Sequence, residues 1–158
     1  MKLPNKVGAV IVAAGQSKRM GTDKIFMPLG HKPLIAWSID TCQNNKSIEQ
    51  INVVLNENNL EKGHKLAAER NWSKINNICL GGKLRQESVT NGLKGLDDCE
   101  WIIIHDGARP FITDNLINNG LKAAQKTGAA IAAVPVKDTI KLSNTDYTVK
   151  KTLPRENL

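Results

Sequence analysis

The sequence predicts an α/β protein, doubly wound and Rossmann-like, with a mostly parallel sheet, helices on both faces and a projecting β-hairpin arm. Three observations point there. Residues 7–13, VGAVIVA, are apolar at consecutive positions, the signature of a strand buried on both faces. Similar short apolar runs recur, separated by longer amphipathic stretches, which argues for βαβ units. Over residues 136–142 and 147–153 the pattern changes to one in which polar and apolar residues alternate, which suits an exposed hairpin.

Strands are expected at 7–13, 51–55, 75–80, 101–104 and 129–134. Helices are expected at 34–42, where Pro33 opens the segment, and at 60–70, 84–96 and 115–126, where Asp114 is a plausible cap. Residues 136–142 and 147–153 alternate around the turn-like Ser143-Asn144-Thr145-Asp146 and read as the arm, spanning 136–153. A lone two-stranded hairpin is marginal in water, so it is expected to pack on a second copy of the chain. Residues 1–158 are expected to form one domain.

Composition narrows the function classes. No run approaches the ~18 apolar residues of a membrane span, and no secretory signal is expected ahead of the first strand. Cys42, Cys79 and Cys99 form neither a C-x-x-C pair nor a zinc pattern, so reduced thiols in a cytoplasmic protein are expected. The formal charge of +7 and isoelectric point near 9.4 favour anionic partners. The cations are scattered, and aromatic residues make up only 4% of the chain, which leaves few base-stacking platforms. Small phosphates are therefore preferred over nucleic acid.

Ligands of open α/β sheets lie beyond the carboxyl ends of the strands, and three clusters fall there. The first is Ala13-Ala14-Gly15-Gln16-Ser17-Lys18-Arg19-Met20-Gly21. Small residues bring bare backbone N–H groups close to a ligand, with cations beside them, an arrangement suited to a nucleoside triphosphate. It is neither G-x-x-x-x-G-K-[ST] nor G-x-G-x-x-G. The second is Gly81-Gly82-Lys83-Leu84-Arg85-Gln86-Glu87-Ser88, where two glycines allow backbone to approach a flat base. The third is His105-Asp106-Gly107-Ala108-Arg109-Pro110. Asp106 at a strand end is well placed to hold Mg²⁺ on triphosphate oxygens, and Arg109 can clamp a phosphate through two bonds. His105 reads as a hydrogen-bonded structural residue.

These clusters resemble the 2-C-methyl-D-erythritol 4-phosphate cytidylyltransferase family. The matching pieces are AAGQSKRMG, Lys24 before the F-x-P-L-G segment, GGKLRQESV, HDGARPF and PVKDTIK. The departures are Ser17, where many relatives carry Gly, and Asp23, where Pro is frequent. The resemblance implies that Ala13, Ala14, Gly15, Gly82 and Ser88 bind the nucleotide, with Gly82 and Ser88 helping select cytosine. It implies that Arg19 and Lys24 are catalytic cations, that Asp106 holds Mg²⁺, and that Arg109, Thr139 and Arg155 handle the polyol phosphate. The implied reaction is CMP transfer from CTP to methylerythritol phosphate. The implied assembly is a homodimer through the arm, with Thr139 and Arg155 serving the neighbour's site. The family continues past the arm with a Thr-Pro-Gln segment, a Thr-containing loop and a Lys-containing strand, so the sequence corresponds to its N-terminal and central part. The alternatives are a ribitol-5-phosphate cytidylyltransferase, another sugar-phosphate nucleotidyltransferase, and a non-catalytic phosphate- or RNA-binding module.

Overall fold

The computed structural model describes residues 6–15 and 23–158. Strand β1 (Val7–Ala13) is central because both its faces are apolar, and it pairs in parallel with β4 (Ile48–Leu55) and β6 (Trp101–Asp106). Strand β5 (Ile75–Leu80) adds to β4 and completes the four-stranded order β5-β4-β1-β6. A small antiparallel pair, β2 (Pro28–Leu29) and β3 (Lys32–Pro33), precedes helix α1 (Leu34–Asn44). The remaining helices are α2 (Leu60–Arg70), α3 (Arg85–Leu93) and α4 (Asp114–Thr127), and the arm pairs β7 (Lys141–Ser143) with β8 (Val149–Thr152) antiparallel. The doubly wound fold and the hairpin are as expected.

The two faces of β1 feed different cores. Val7, Ala9, Ile11 and Ala13 enter the larger core, with Ile35 and Ile39 of α1 and Ile117 and Leu121 of α4. Val10 enters a smaller core with Val54 and Leu96, against which Val12, Ala14, Cys79, Cys99 and Ile102 pack. Helix α1 presents Ile35, Ala36, Ile39 and Cys42, a spacing that keeps one face inward. Burial in the larger core pushes the Cys42 thiol up to about 12, so it stays protonated. Asp40 ties that layer together by accepting from Lys32 Nζ at 2.6 Å, Arg70 Nη2 at 2.5 Å and Trp72 Nε1 at 2.7 Å. Burial alone would raise its pKa, but the bonds from Lys32, Trp72 and Arg70 outweigh this and hold it below the usual carboxylate range.

Three expectations need correction. Residues 129–134 do not form a strand, and Ile131 and Val134 are 91% and 83% exposed. An apolar run becomes a strand only when a neighbouring edge accepts its backbone bonds and a layer covers its side chains, and among the described residues the sheet ends at β6. Helix α3 stops at Leu93 rather than 96 because Lys94 is extended and Gly95 turns through a φ of +83°. Buried Asn52 of β4 fixes that end by donating to the carbonyls of Gly92 (2.8 Å) and Lys94 (3.0 Å). The cap of α4 is Thr113, whose Oγ1 accepts from Leu116 N at 3.2 Å, while Asp114 instead accepts from Asn45 Nδ2 at 2.9 Å.

Two glycines give opposite stability predictions. A Cβ on Gly92 of α3 would collide with Val10 Cγ1 and come within 2.7 Å of Val54 Cγ2, both β-branched and buried between layers. Overpacking of this kind costs roughly 1–3 kcal/mol, more than the ~1 kcal/mol of helix propensity that Ala gains over Gly. Gly92→Ala is therefore expected to lower the urea midpoint. Gly120 of α4 has nothing within 4 Å of its Cβ position, so Gly120→Ala is expected to raise stability by about 0.5–1 kcal/mol.

Candidate active site

The parallel sheet brings the three clusters to one edge. Ala13 lies opposite Leu55, Leu55 opposite Leu80, and Val12 opposite Asp106, so the carboxyl ends of all four strands are level. Backbone bonds fasten the loops to the strand ends: Gly81 N donates to Leu55 O and Gly107 N to Val12 O, each at 2.9 Å.

The first loop offers backbone rather than side chains. The Ala13 methyl is buried in the larger core and that of Ala14 packs on the smaller one, while Gly15 is exposed with nothing within 4 Å of its Cβ position. Arg19, with Ser17 and Lys18, falls outside the described residues. Lys24 opens a short 3-10 helix that Asp23 caps by accepting from Ile25 N at 3.4 Å, with Ile25 anchored in the core.

The second loop is built for close approach. A Cβ on Gly81 would run into the Ala14 methyl and come within 2.8 Å of Ser88 Oγ, so the two glycine-containing loops touch only because residue 81 has no side chain. Ser88 is buried; its hydroxyl accepts from Gly82 N at 3.0 Å and donates to Leu84 O at 3.2 Å. Glu87 Oε2 accepts from Lys83 N at 2.7 Å and Leu84 N at 3.3 Å, satisfying backbone donors at the start of α3. Ser88 and Glu87 therefore hold the loop's shape from below. The sequence marks both glycines as room for a flat base; at Gly81 the missing side chain makes room for Ala14 and Ser88 instead.

Asp106 is the most elaborated residue. Its Oδ1 accepts from Arg85 Nη2 at 2.8 Å and its Oδ2 faces Arg109 Nε at 3.1 Å. Burial pulls its pKa upward, but the Arg85 hydrogen bond and the charges of Arg85 and Arg109 prevail, so the carboxyl stays ionised below its ordinary range. Arg85 is the partner that sequence reasoning missed. A cation in the first turn of a helix opposes the macrodipole, and that unfavourable position was the signal that it had a carboxylate to meet.

The Arg109 backbone is fixed independently. Its N–H donates to Asp106 O at 2.9 Å, and its carbonyl accepts from Ser38 Oγ at 3.1 Å and from His105 Nε2 at 3.0 Å. A carbonyl can only accept, so His105 Nε2 carries the proton. Burial lowers the His105 pKa, which keeps the ring neutral near pH 7, and it holds the loop to α1 as a structural group.

Backbone and side-chain bonds tie the segment at Arg155 to the segment that holds Thr139. Arg155 Nη1 donates to Lys137 O at 2.8 Å, and Leu153 N donates to Ile140 O at 3.0 Å. The structure joins the three loop clusters to one another through Gly81 against Ala14 and Arg85 on Asp106, while these bonds near Thr139 and Arg155 stay within residues 137–155.

Comparison with known proteins follows the same outline. A family model described as IspD, 2-C-methyl-D-erythritol 4-phosphate cytidylyltransferase, matches residues 7–158. A 2-C-methyl-D-erythritol 4-phosphate cytidylyltransferase of Dehalococcoides mccartyi is 54% identical over 159 residues, covering 100% of this chain and 70% of its own length. One from Clostridium tetani is 41% identical over 152 residues, covering 95% of this chain and 62% of its own length. The crystal structure of 4-diphosphocytidyl-2C-methyl-D-erythritol synthase from Anaerococcus prevotii superimposes with a TM-score of 0.84 at 29% identity, covering 96% of this chain and 66% of that one. The chain spans about 70% of the length of its Dehalococcoides relative. It belongs to the 2-C-methyl-D-erythritol 4-phosphate cytidylyltransferase family.

Proposed function

We propose that this chain transfers CMP from CTP to 2-C-methyl-D-erythritol 4-phosphate. The observation that carries this reading is the contact of the two glycine loops, Gly81 against Ala14 and Ser88, beside an ionised Asp106 flanked by two guanidinium groups. Backbone from Ala13 to Gly15 approaches the triphosphate. The loop at Gly82, shaped by Ser88, receives the cytosine. Arg109, Thr139 and Arg155 receive the polyol phosphate.

Mg²⁺ fits Asp106. The ion is ordinarily held by one or two carboxylates together with substrate phosphates, and Asp106 supplies one ionised carboxylate. Among the described residues no group of three or more His, Cys, Asp or Glu side chains forms an alternative all-protein cage. When bound, the metal neutralises charge on the triphosphate oxygens.

The chain's own residues do the rest by charge and position. A phosphate monoester has a second pKa of ~6, so its oxygen is already anionic at pH 7 and needs no general base. That oxygen forms a bond to the α-phosphorus as the α–β bridging bond breaks and pyrophosphate leaves with the electron pair. Lys24 and Arg19 stabilise charge in the transition state, and Arg109 offsets the repulsion between the two anions. His105 stays neutral and keeps the Arg109 carbonyl in place.

The reading includes a homodimer through the arm and a cytoplasmic setting. Among the described residues no helix is long and apolar enough to cross a membrane. Leu142 and Val149 of the arm are exposed, and a second copy would cover them. The test of the reaction is pyrophosphate release from CTP. The expected result is Mg²⁺-dependent release with methylerythritol phosphate and little with ribitol 5-phosphate; release with ribitol 5-phosphate alone would select the rival. The test of the arm mixes Asp106→Asn with Arg155→Ala. Shared sites predict partial recovery of activity in mixed dimers, and no recovery after confirmed subunit exchange rules them out.

A further inference from the structure

Arg85 and Arg109 both meet Asp106, but they are held differently. Arg109 is three residues from Asp106 along the chain, and its backbone is pinned by Asp106, Ser38 and His105. Arg85 comes from another element, the first residue of α3, across 21 positions of sequence. Its origin is rigid, because Ser88 and Glu87 fix the loop that leads into the helix. Its guanidinium end is not: the Arg85 side chain is 60% exposed, against 32% for Asp106. A long, exposed cation on a fixed stem can exchange partners without disturbing the fold.

The Asp106 carboxylate has two oxygens, and each already faces a guanidinium. A divalent cation arriving at Oδ1 would stand against the Arg85 charge. The repulsion is relieved if the guanidinium leaves, and an anion entering with the metal gives it a destination. Arginine suits both partners because its planar fork matches carboxylate and phosphate alike. Arg85 also starts from the glycine loop proposed to receive the base, so its movement links base binding to the state of Asp106.

We propose that Arg85 is a positioning residue that occupies Asp106 in the free protein, yields it to the divalent cation, and then pairs with a phosphate oxygen of the incoming nucleoside triphosphate. This rests on the reading of Asp106 as the metal ligand. In the free protein Arg85 keeps the carboxylate charge-balanced and oriented. In the loaded protein the same guanidinium strengthens nucleotide binding.

The experiment measures Mn²⁺ binding by electron paramagnetic resonance, with and without CTP, in the wild type, Arg85→Gln, Arg85→Lys and Asp106→Asn. Thermal unfolding confirms that each variant is folded. Without CTP, Arg85→Gln is expected to bind Mn²⁺ about three- to fivefold more tightly than wild type, the size of one partly exposed ion pair. With Mn²⁺ present, the same variant is expected to bind CTP several-fold more weakly. Arg85→Lys keeps the charge and is expected to stay near wild type for Mn²⁺. A residue that merely supported the fold would not move the two affinities in opposite directions. Unchanged or weaker Mn²⁺ binding by Arg85→Gln, or no detectable binding by either protein at millimolar metal, overturns the exchange. Unchanged CTP affinity overturns the transfer to phosphate. Wild-type Mn²⁺ affinity in Asp106→Asn overturns the metal reading itself, and this proposal with it; its loss there beside an unaffected Arg85→Gln overturns the exchange alone.

Discussion

Asp106→Asn is expected to reduce Mg²⁺-dependent turnover by about 10²-fold or more, with the fold retained. That is the scale of removing one preorganised electrostatic group from a reaction centre. Asn preserves size but removes the charge that attracts the metal, and it leaves Arg85 and Arg109 facing a neutral amide. The effect on stability should be small, because both arginines are well exposed and such pairs contribute only about 0–1 kcal/mol. Its pH dependence follows from linkage. The folded pKa of Asp106 lies below the ordinary value of 3.8, so its contribution to stability is present above that value and is lost as pH falls through the lower, folded one. Asp106 therefore remains ionised across the working range. The acid limb of the rate should instead follow the substrate's own phosphate near pH ~6. Rate–pH profiles and circular dichroism on both proteins check this. Wild-type turnover by the Asn variant at limiting Mg²⁺ would remove Asp106 from the site.

The parts of the fold legible in the sequence are those where local pattern and tertiary burial agree. Residues 7–13 are apolar on every position, and β1 is buried on both faces over the same span. Helix α2 and strand β5 also fall where the periodicity places them. Residues 129–134 carry the same kind of apolar run, yet no edge pairs with them among the described residues. The pattern reports that a segment would be buried if a partner were there; it does not report the partner.

The site divides in the same way. Each cluster was visible because it follows a strand, and parallel pairing brings strand ends together. What joins the clusters was not visible, because those contacts span long stretches of sequence. Arg85 reaches Asp106 across 21 residues, and Ser38 reaches the Arg109 carbonyl across 71. The direction of the Ser88 hydroxyl was equally hidden. Sequence places it one turn into the helix, and only the packed loop shows that it faces Gly82 N and Leu84 O.

Lys24→Ala and Arg19→Ala are each expected to lower kcat by roughly 10²–10³-fold, with a much smaller change in KM for CTP. Negative charge builds on the bridging oxygen as pyrophosphate departs, so a cation aimed there is worth more in the transition state than in the ground state. Lys24 suits this role by how it is held. It begins a short 3-10 helix, capped by Asp23, whose next residue, Ile25, is buried against the larger core. The stem of the side chain therefore starts from a fixed point. Lys24→Arg keeps the charge but replaces a compact ammonium with a planar fork, so it should restore only part of the rate. Steady-state kinetics with both substrates varied separates the effects. A raised KM for CTP at unchanged kcat would show that these cations bind the ground state and transition state equally, and would leave Asp106 and Arg109 as the charges that act on the reaction.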